Sequence, residues 1–379
     1  MTTSTSSSQP LRLTDPGDLI AAVPAMLGFL PARSLIVLSL ASDADAGGGC
    51  DGVRSAAVGA VMRHDLILPP GEDDPVPAAM RDVFERFGAL CDREGADAVL
   101  VVLVDDRLDH PDAPAVAAAC RLLDDFAVRL DRHGIRIAGA HAVSEVACGR
   151  TWFALVGGVR GTVPDPQASP VAAARVFEGG AIRRSRAELA DLLAPMPMPG
   201  RMQVADHIDE AIDTRDLAYE LAVRAGGRDR ADRQELEAVL SHIARHGDGA
   251  ELLAPELAEL AVLLSNSTVR DAVMALATGA EADAAERLWI ALTRRLPDPE
   301  RAEAAALVGY SAYVRGDGPL AGVALGVALE SNPRHRLADL LDQALQAGLR
   351  PHTVRGLADT GYEIAARLGV RMPPPEPAA

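Results

Sequence analysis

Apolar positions along this chain follow two spacings, and the chain divides by which of them it uses. Behind Thr14-Asp15-Pro16-Gly17-Asp18, which offers an N-cap, an early proline and an acidic first turn, Leu19, Ile20, Val23, Met26 and Leu27 recur at helical intervals. Short β-rich runs at 35–40 and 57–68 then predict strands, with a polar Gly/Asp loop between them. Val76, Met80, Val83, Phe84, Phe87, Leu90 and Cys91 mark a helix, and the unbroken apolar run 98–104 reads as a strand buried on both faces. The pattern repeats with a helix through Val116, Ala119, Cys120, Leu123, Phe126, Ala127 and Leu130, then strands near 135–143 and 151–156. Alternating strands and helices predict an α/β domain over 14–160 with a mixed, partly parallel sheet and flanking helices.

Past Val159 the strand signal ends. Residues 161–169, rich in glycine and proline, read as a linker, and 170–370 as an all-α domain of helical hairpins. Its stripes fall at 170–178, 185–194, 204–225, 230–246, 251–264, 268–278, 282–296, 301–315, 319–330, 335–347 and 352–368. Residues 1–13 and 371–379 read as disordered tails. Gly309, Ala321, Ala328 and Pro333 stand at the intervals of small residues and proline in a tetratricopeptide unit, although small residues at any helix crossing fit the same positions.

Composition narrows the chemistry. All 37 basic residues are arginine, because the sequence contains no lysine, and they face 54 acidic residues for a net charge of −17. A P-loop, a kinase site and a Schiff-base enzyme each need a lysine, so these classes are excluded. The negative charge disfavours nucleic-acid backbones. No apolar run approaches the roughly 20 residues of a membrane span, and the N-terminus lacks a secretion signal. The four cysteines, Cys50, Cys91, Cys120 and Cys148, form no C-x-x-C pair, which fits a reducing, cytoplasmic compartment. No metal site or cofactor is implied.

Few motifs carry chemistry. Asp105-Asp106 follow the strand 98–104, where α/β folds place ligands, and with His141 and Trp152 they form the candidate small-ligand cleft; a solvated turn explains the two aspartates equally well. His242 and His246 lie one turn apart, but Ile243 replaces the glutamate of a zinc protease and both histidines flank an apolar stripe. The glycine-rich stretch 156–161 runs into Pro164 and Pro166 rather than a helix, unlike a phosphate loop. Asn266-Ser267-Thr268 reads as a helix cap rather than a glycosylation acceptor. Tyr310, Tyr313 and Arg315 look exposed and are candidate partner-binding residues.

Three stretches resemble a known family. The opening Leu13-Thr14-Asp15-Pro16-Gly17-Asp18-Leu19-Ile20-Ala21-Ala22-Val23-Pro24 with Leu27-Gly28-Phe29 is similar to that of the actinobacterial "domain of unknown function 4192" family. Tyr313-Val314-Arg315-Gly316-Asp317-Gly318, continuing into Leu320-Ala321 and Ala328-Leu329, resembles its closing hairpin, and Ser185-Arg186-Ala187-Glu188-Leu189 and Leu288-Trp289 lie between. The resemblance spans roughly 13–349. It implies a cysteine in the middle segment, where this sequence has Trp152, Gly161 and Pro164 but no cysteine after Cys148. It implies no reaction, substrate or partner. With no catalytic signature present, the expected function is non-enzymatic protein binding or scaffolding by a concave, arginine-studded helical half; the alternative is a small-ligand-binding protein or enzyme using the strand-end cleft.

Overall fold

Strand β1 (Ser34–Ser42) occupies the second place in a six-stranded sheet and explains its mixed character. It pairs antiparallel with β2 (Ala56–Asp65) on one side and with β3 (Ala98–Val104) on the other. Because β2 and β3 flank the same strand, the connection through α2 (Ala78–Arg93) passes over β1 instead of making a parallel pair. Only β3 and β4 (Arg136–Val143), joined by α3 (Pro114–Asp131), are parallel neighbours. The strands β5 (Thr151–Ala154) and β6 (Arg160–Thr162) complete the order β2-β1-β3-β4-β5-β6, both pairing antiparallel. The structure is a computed structural model, and it describes residues 15–42, 56–69, 74–177, 182–247 and 249–375. Cys50 and the tail 1–13 lie outside the described residues.

Alternation along the strands divides the sheet into two buried faces. Leu35, Val37, Val99, Val101, Leu103, Ala140, Ala142 and Phe153 join one cluster with Met80, Val83, Phe84 and Cys91 of α2 and Leu122, Phe126 and Leu130 of α3. The Phe84 and Phe126 rings stack at 4.7 Å, and burial of each contributes roughly 1.5–3 kcal/mol. Burial also pushes the Cys91 thiol up to about 11, in keeping with the apolar stripe it occupies. On the opposite parity stand Ile36, Leu38, Val102, Val104, Val143, His141 and Trp152. There α1 (Pro16–Leu27), capped by Asp15 through Gly17 N at 2.6 Å, brings its first turn against Trp152 and the Thr162 carbonyl.

The expected linker at 161–169 is built into this unit. Gly157 and Gly158, at positive φ of 95° and 71°, turn the chain so that Trp152 pairs with Gly161 and Thr151 with Thr162. A short 3-10 turn (Pro166–Ala168) capped by Asp165 leads into α4 (Pro170–Phe177), which packs with α1, and Arg183 pairs with Phe29. The first compact unit therefore extends to Arg186.

The second unit, 187–379, is helical throughout its described residues apart from an isolated bridge. Its elements are α5 (Arg186–Leu192), α6 (Met198–Gly226), α7 (Arg228–Gly247), α8 (Ala254–Leu264) and α9 (Ser267–Val273), which runs into a 3-10 turn at Met274–Thr278. Then come α10 (Ala282–Arg295), α11 (Arg301–Val314), α12 (Gly318–Ser331), α13 (Arg336–Gln346) and α14 (Pro351–Arg367). The helix α6 starts at Met198, ahead of the expected stripe at 204–225 and within a proline-rich stretch, since a proline in the first turn costs no intrahelical bond. Covered on every side, α11 forms the core: twelve of its fourteen residues are buried. It crosses α12 where a side chain on Gly309 would meet Leu325 at 2.7 Å, which accounts for the small residues at 309 and 321 without any repeat. Part of the expected tail is ordered, as Pro375 bridges to Gly279. Among the described residues no single helix is long and apolar enough to cross a membrane.

Candidate functional site

The four residues expected to meet at the strand ends do not form one cleft. Asp105 is fully buried and bonded into its own turn, accepting from Arg107 N at 3.0 Å, Nε at 2.8 Å and Nη2 at 2.7 Å. Burial raises its pKa, but the Arg107 guanidinium and backbone N–H outweigh burial and hold the carboxyl below its ordinary value. Asp106 is exposed and pairs with the exposed Arg33 at 3.4 Å. The solvated-turn reading therefore describes Asp106, and a saturated ion pair describes Asp105.

His141 and Trp152 do meet, on the opposite face of the sheet. Their rings stand edge to face with centroids 5.2 Å apart, and both are buried. Neither His141 Nδ1 nor Trp152 Nε1 has a hydrogen-bond partner, and burial lowers the His141 pKa against the opposing charge of Asp15. Yet the junction is packed. A methyl group on Gly17 would lie 3.0 Å from Trp152 Nε1 and 2.8 Å from the Thr162 carbonyl, and one on Gly161 would lie 2.8 Å from the indole. The pair packs α1 against the sheet, with no space for a side chain at Gly17 or Gly161.

Tyr310 and Tyr313 are likewise interior, at 0% and 2% exposure, because they sit on α11. The Tyr313 hydroxyl donates to the Leu349 carbonyl at 2.8 Å, and burial pushes its pKa up to about 12. Arg315 is held by Glu286, its Nη2 donating at 3.0 Å and its Nη1 to the other carboxylate oxygen. Tyr310 and Tyr313 are therefore core residues, whereas Arg315 is exposed, as expected, and pairs with Glu286.

The open site lies elsewhere, between α6, α7 and α8. Of the residues of α6, Val204, Ile208 and Ala222 are buried, and over the stretch between Ile208 and Ala222 the helix stands away from the core. There Ala211 and Ala218 face Ala231 and Ala238 of α7, side chains too small to fill the gap. A cleft of about 570 Å³ results, within the size range of ligand sites. Glu210, Arg215, Tyr219, Glu235 and Glu259 are among its polar groups, with His207, Thr214 and Gln234.

A buried network fixes one wall. Arg215 donates to Glu235 through Nε at 2.6 Å and Nη2 at 3.3 Å and lies 4.6 Å over the Tyr219 ring. Tyr219 donates to Asp232 Oδ1 at 3.0 Å. Asn266, before α9, donates from one Nδ2 to Asp232 at 2.9 Å and Glu235 at 2.7 Å while its Oδ1 caps Thr268 N at 3.0 Å. Burial lowers the Arg215 pKa, but Glu235 and then Asp216 outweigh it, and the net shift is upward. Tyr219 is also raised, by burial first and by Asp232 next, so it stays neutral and donating. On the far wall His242, buried, pairs through Nε2 with Glu259 Oε2 at 3.2 Å. His246 turns to the Ala250 carbonyl at 3.2 Å, so the two histidines do not converge. Among the described residues no group of three or more His, Cys, Asp or Glu is arranged to hold a metal.

None of the residues lining the cleft was singled out from the sequence, although His242 and Asn266, which pair with Glu259 and Glu235, were read there as a histidine flanking an apolar stripe and as a helix cap. The available signal was acidic residues inside an apolar stripe: Asp232 and Glu235 continue the Leu236-Val239-Ile243 face of α7 toward its N-terminus. Carboxylates on a buried face need partners, and Arg215 and Tyr219, one turn apart on the preceding helix, supply them.

A family model described as Domain of unknown function (DUF4192) matches residues 16–352, nearly the whole chain, and the protein belongs to that family. No curated protein and no solved structure matches it.

Proposed function

We propose that this member of the family is a binding protein without chemistry of its own, whose helical unit receives a segment of a protein partner in the cleft between α6, α7 and α8. The observation that carries this reading is the construction of the cleft. Four alanines hold it open while a network drawn from three parts of the chain, Arg215 and Tyr219, Asp232 and Glu235, and Asn266, locks its wall. Preorganised polar groups beside an apolar floor are what a recognition site needs. Catalysis would need a group poised to react, and the Arg215, Tyr219, Asp232, Glu235 and Asn266 side chains of the wall are engaged with one another. The cleft also differs from an arginine-studded groove, since one arginine faces three glutamates.

A photoreactive amino acid at Ala218 tests the reading in cells that make the chain. A discrete protein adduct is expected there, and none from the same group at Val128, an exposed position on α3. Equal labelling from both positions, or none from Ala218, overturns it.

A further inference from the structure

We infer that the guest is a basic amphipathic segment of the partner, with an arginine or lysine entering the cleft between Glu210 and Glu259 and apolar side chains resting on Leu217 and Leu221. This rests on the cleft reading above and adds the chemistry of the occupant.

The charge of the lining sets the sign. Glu210, Glu235 and Glu259 face Arg215, an excess of two negative charges before the histidines are considered. Of the three, Glu235 is saturated by Arg215 and Asn266. Glu259 meets His242 through one oxygen, and Glu210 approaches its neighbour His207 no closer than 3.9 Å. Two carboxylates of the lining, one from α6 and one from α8, thus keep acceptor capacity for a cation, while Arg215 is committed to Glu235.

The rim sets the body of the guest. Leu217 and Leu221 are 63% and 55% exposed, and helical spacing places them one turn or less from Thr214 and Ala218, which line the cleft. A long apolar pair standing in water beside an acidic cleft complements a helix that carries leucine-like residues on one face and a basic residue beside them. An anionic or nucleic-acid guest would meet the same glutamates as repulsion.

The test uses the full chain and a fluorescent peptide of about 14 residues with leucines at helical spacing and arginines between them. Its citrulline analogue keeps the shape and removes the charge, and a scrambled arginine peptide keeps the charge and removes the face. The arginine peptide is expected to bind roughly 10-fold tighter than the citrulline peptide, by anisotropy. The Glu210→Gln/Glu259→Gln pair should erase most of that difference, and Leu217→Ser/Leu221→Ser should weaken both peptides. Glu363→Gln, an exposed change on α14, should alter nothing. All of these are surface substitutions that leave the core intact. If the citrulline or scrambled peptide binds as tightly as the arginine peptide, or if neither binds while the Ala218 adduct persists, the cation inference falls and the cleft reading stands. If the arginine peptide binds equally well to an Ala218→Trp chain, both fall.

Discussion

Replacing Asn266 by aspartate is the sharpest probe of the cleft wall, because it changes one atom type and little else. Aspartate caps a helix about as well as asparagine, so the bond to Thr268 N survives. What changes is the Nδ2 donor, now an oxygen facing two carboxylates that sat 2.9 and 2.7 Å from the amide. Each lost bond to a charged group is worth about 1.5–3 kcal/mol, and both acceptors remain buried. Movement toward the cleft recovers part of this, so we expect a loss of about 3–5 kcal/mol at neutral pH. For a unit of this size that lowers Tm by about 6–15 °C. The sign of the pH dependence follows from crowding three acids together. The repulsion exists only while the acids are ionised, so the penalty is greatest at neutral pH. Melting followed by circular dichroism, with hydrogen exchange in α7 and α9 as the local readout, should show the deficit shrinking from about pH 7 to about pH 4.5. Asn266→Ser, which keeps a cap but adds no charge, should fall between the two. A variant melting within about 2 °C of the parent at neutral pH, or a deficit that grows on acidification, would refute the network as described.

Asp105→Asn should cost the α/β unit about 1–3 kcal/mol at neutral pH, since it leaves the Arg107 guanidinium without its charged partner. The folded Asp105 pKa is depressed, so this stability is present above the unfolded value and is lost as pH falls through the folded one; denaturant titrations down the acid range should show parent and variant converging, and a pH-independent gap would sink the assignment. Gly361→Ala should destabilise the helical unit by about 1–3 kcal/mol or more, because the added methyl would lie 2.8 Å from the Asp271 carbonyl, 2.9 Å from that of Ala272 and 2.9 Å from Ala275 N. These are backbone atoms that cannot rotate away, and a thermal melt matching the parent would mean that α14 docks differently.

The helices were legible because their stripes are long and periodic: the spacing near 282–296 is observed as Ala282–Arg295, and that near 319–330 as Gly318–Ser331. The strands were legible from β-rich composition, but their neighbours were not. Spacing cannot show that β2-α2-β3 steps over β1, although the mixed, partly parallel character of the sheet was read correctly. Gly157-Gly158 carried a turn signal that pointed to a hairpin, and the prolines after it were read as a linker instead. Asn266 as a cap was read correctly, although its second role depends on Asp232 and Glu235, thirty-odd residues away. Tyr310 and Tyr313 looked exposed because polar-tipped aromatics near a helix end often are; α11 lies at the centre of the bundle, a fact that belongs to the packing of its neighbours.

The position of the network bears on why it persists. Apolar residues at Asp232, Glu235 and Arg215 would stabilise three packed helices at least as well, because paired charges in an interior seldom repay their desolvation. A core made that way would also draw α6 down onto α7 and α8 and close the cleft. The charges instead hold the wall at a fixed spacing through directional bonds, with the arginine plane stacked on Tyr219 and both oxygens of Glu235 engaged. The exposed Leu217 and Leu221 on α6 forgo burial beside the same cleft. Packing alone accounts for neither of these choices, and the basic, amphipathic guest proposed above would account for both of them.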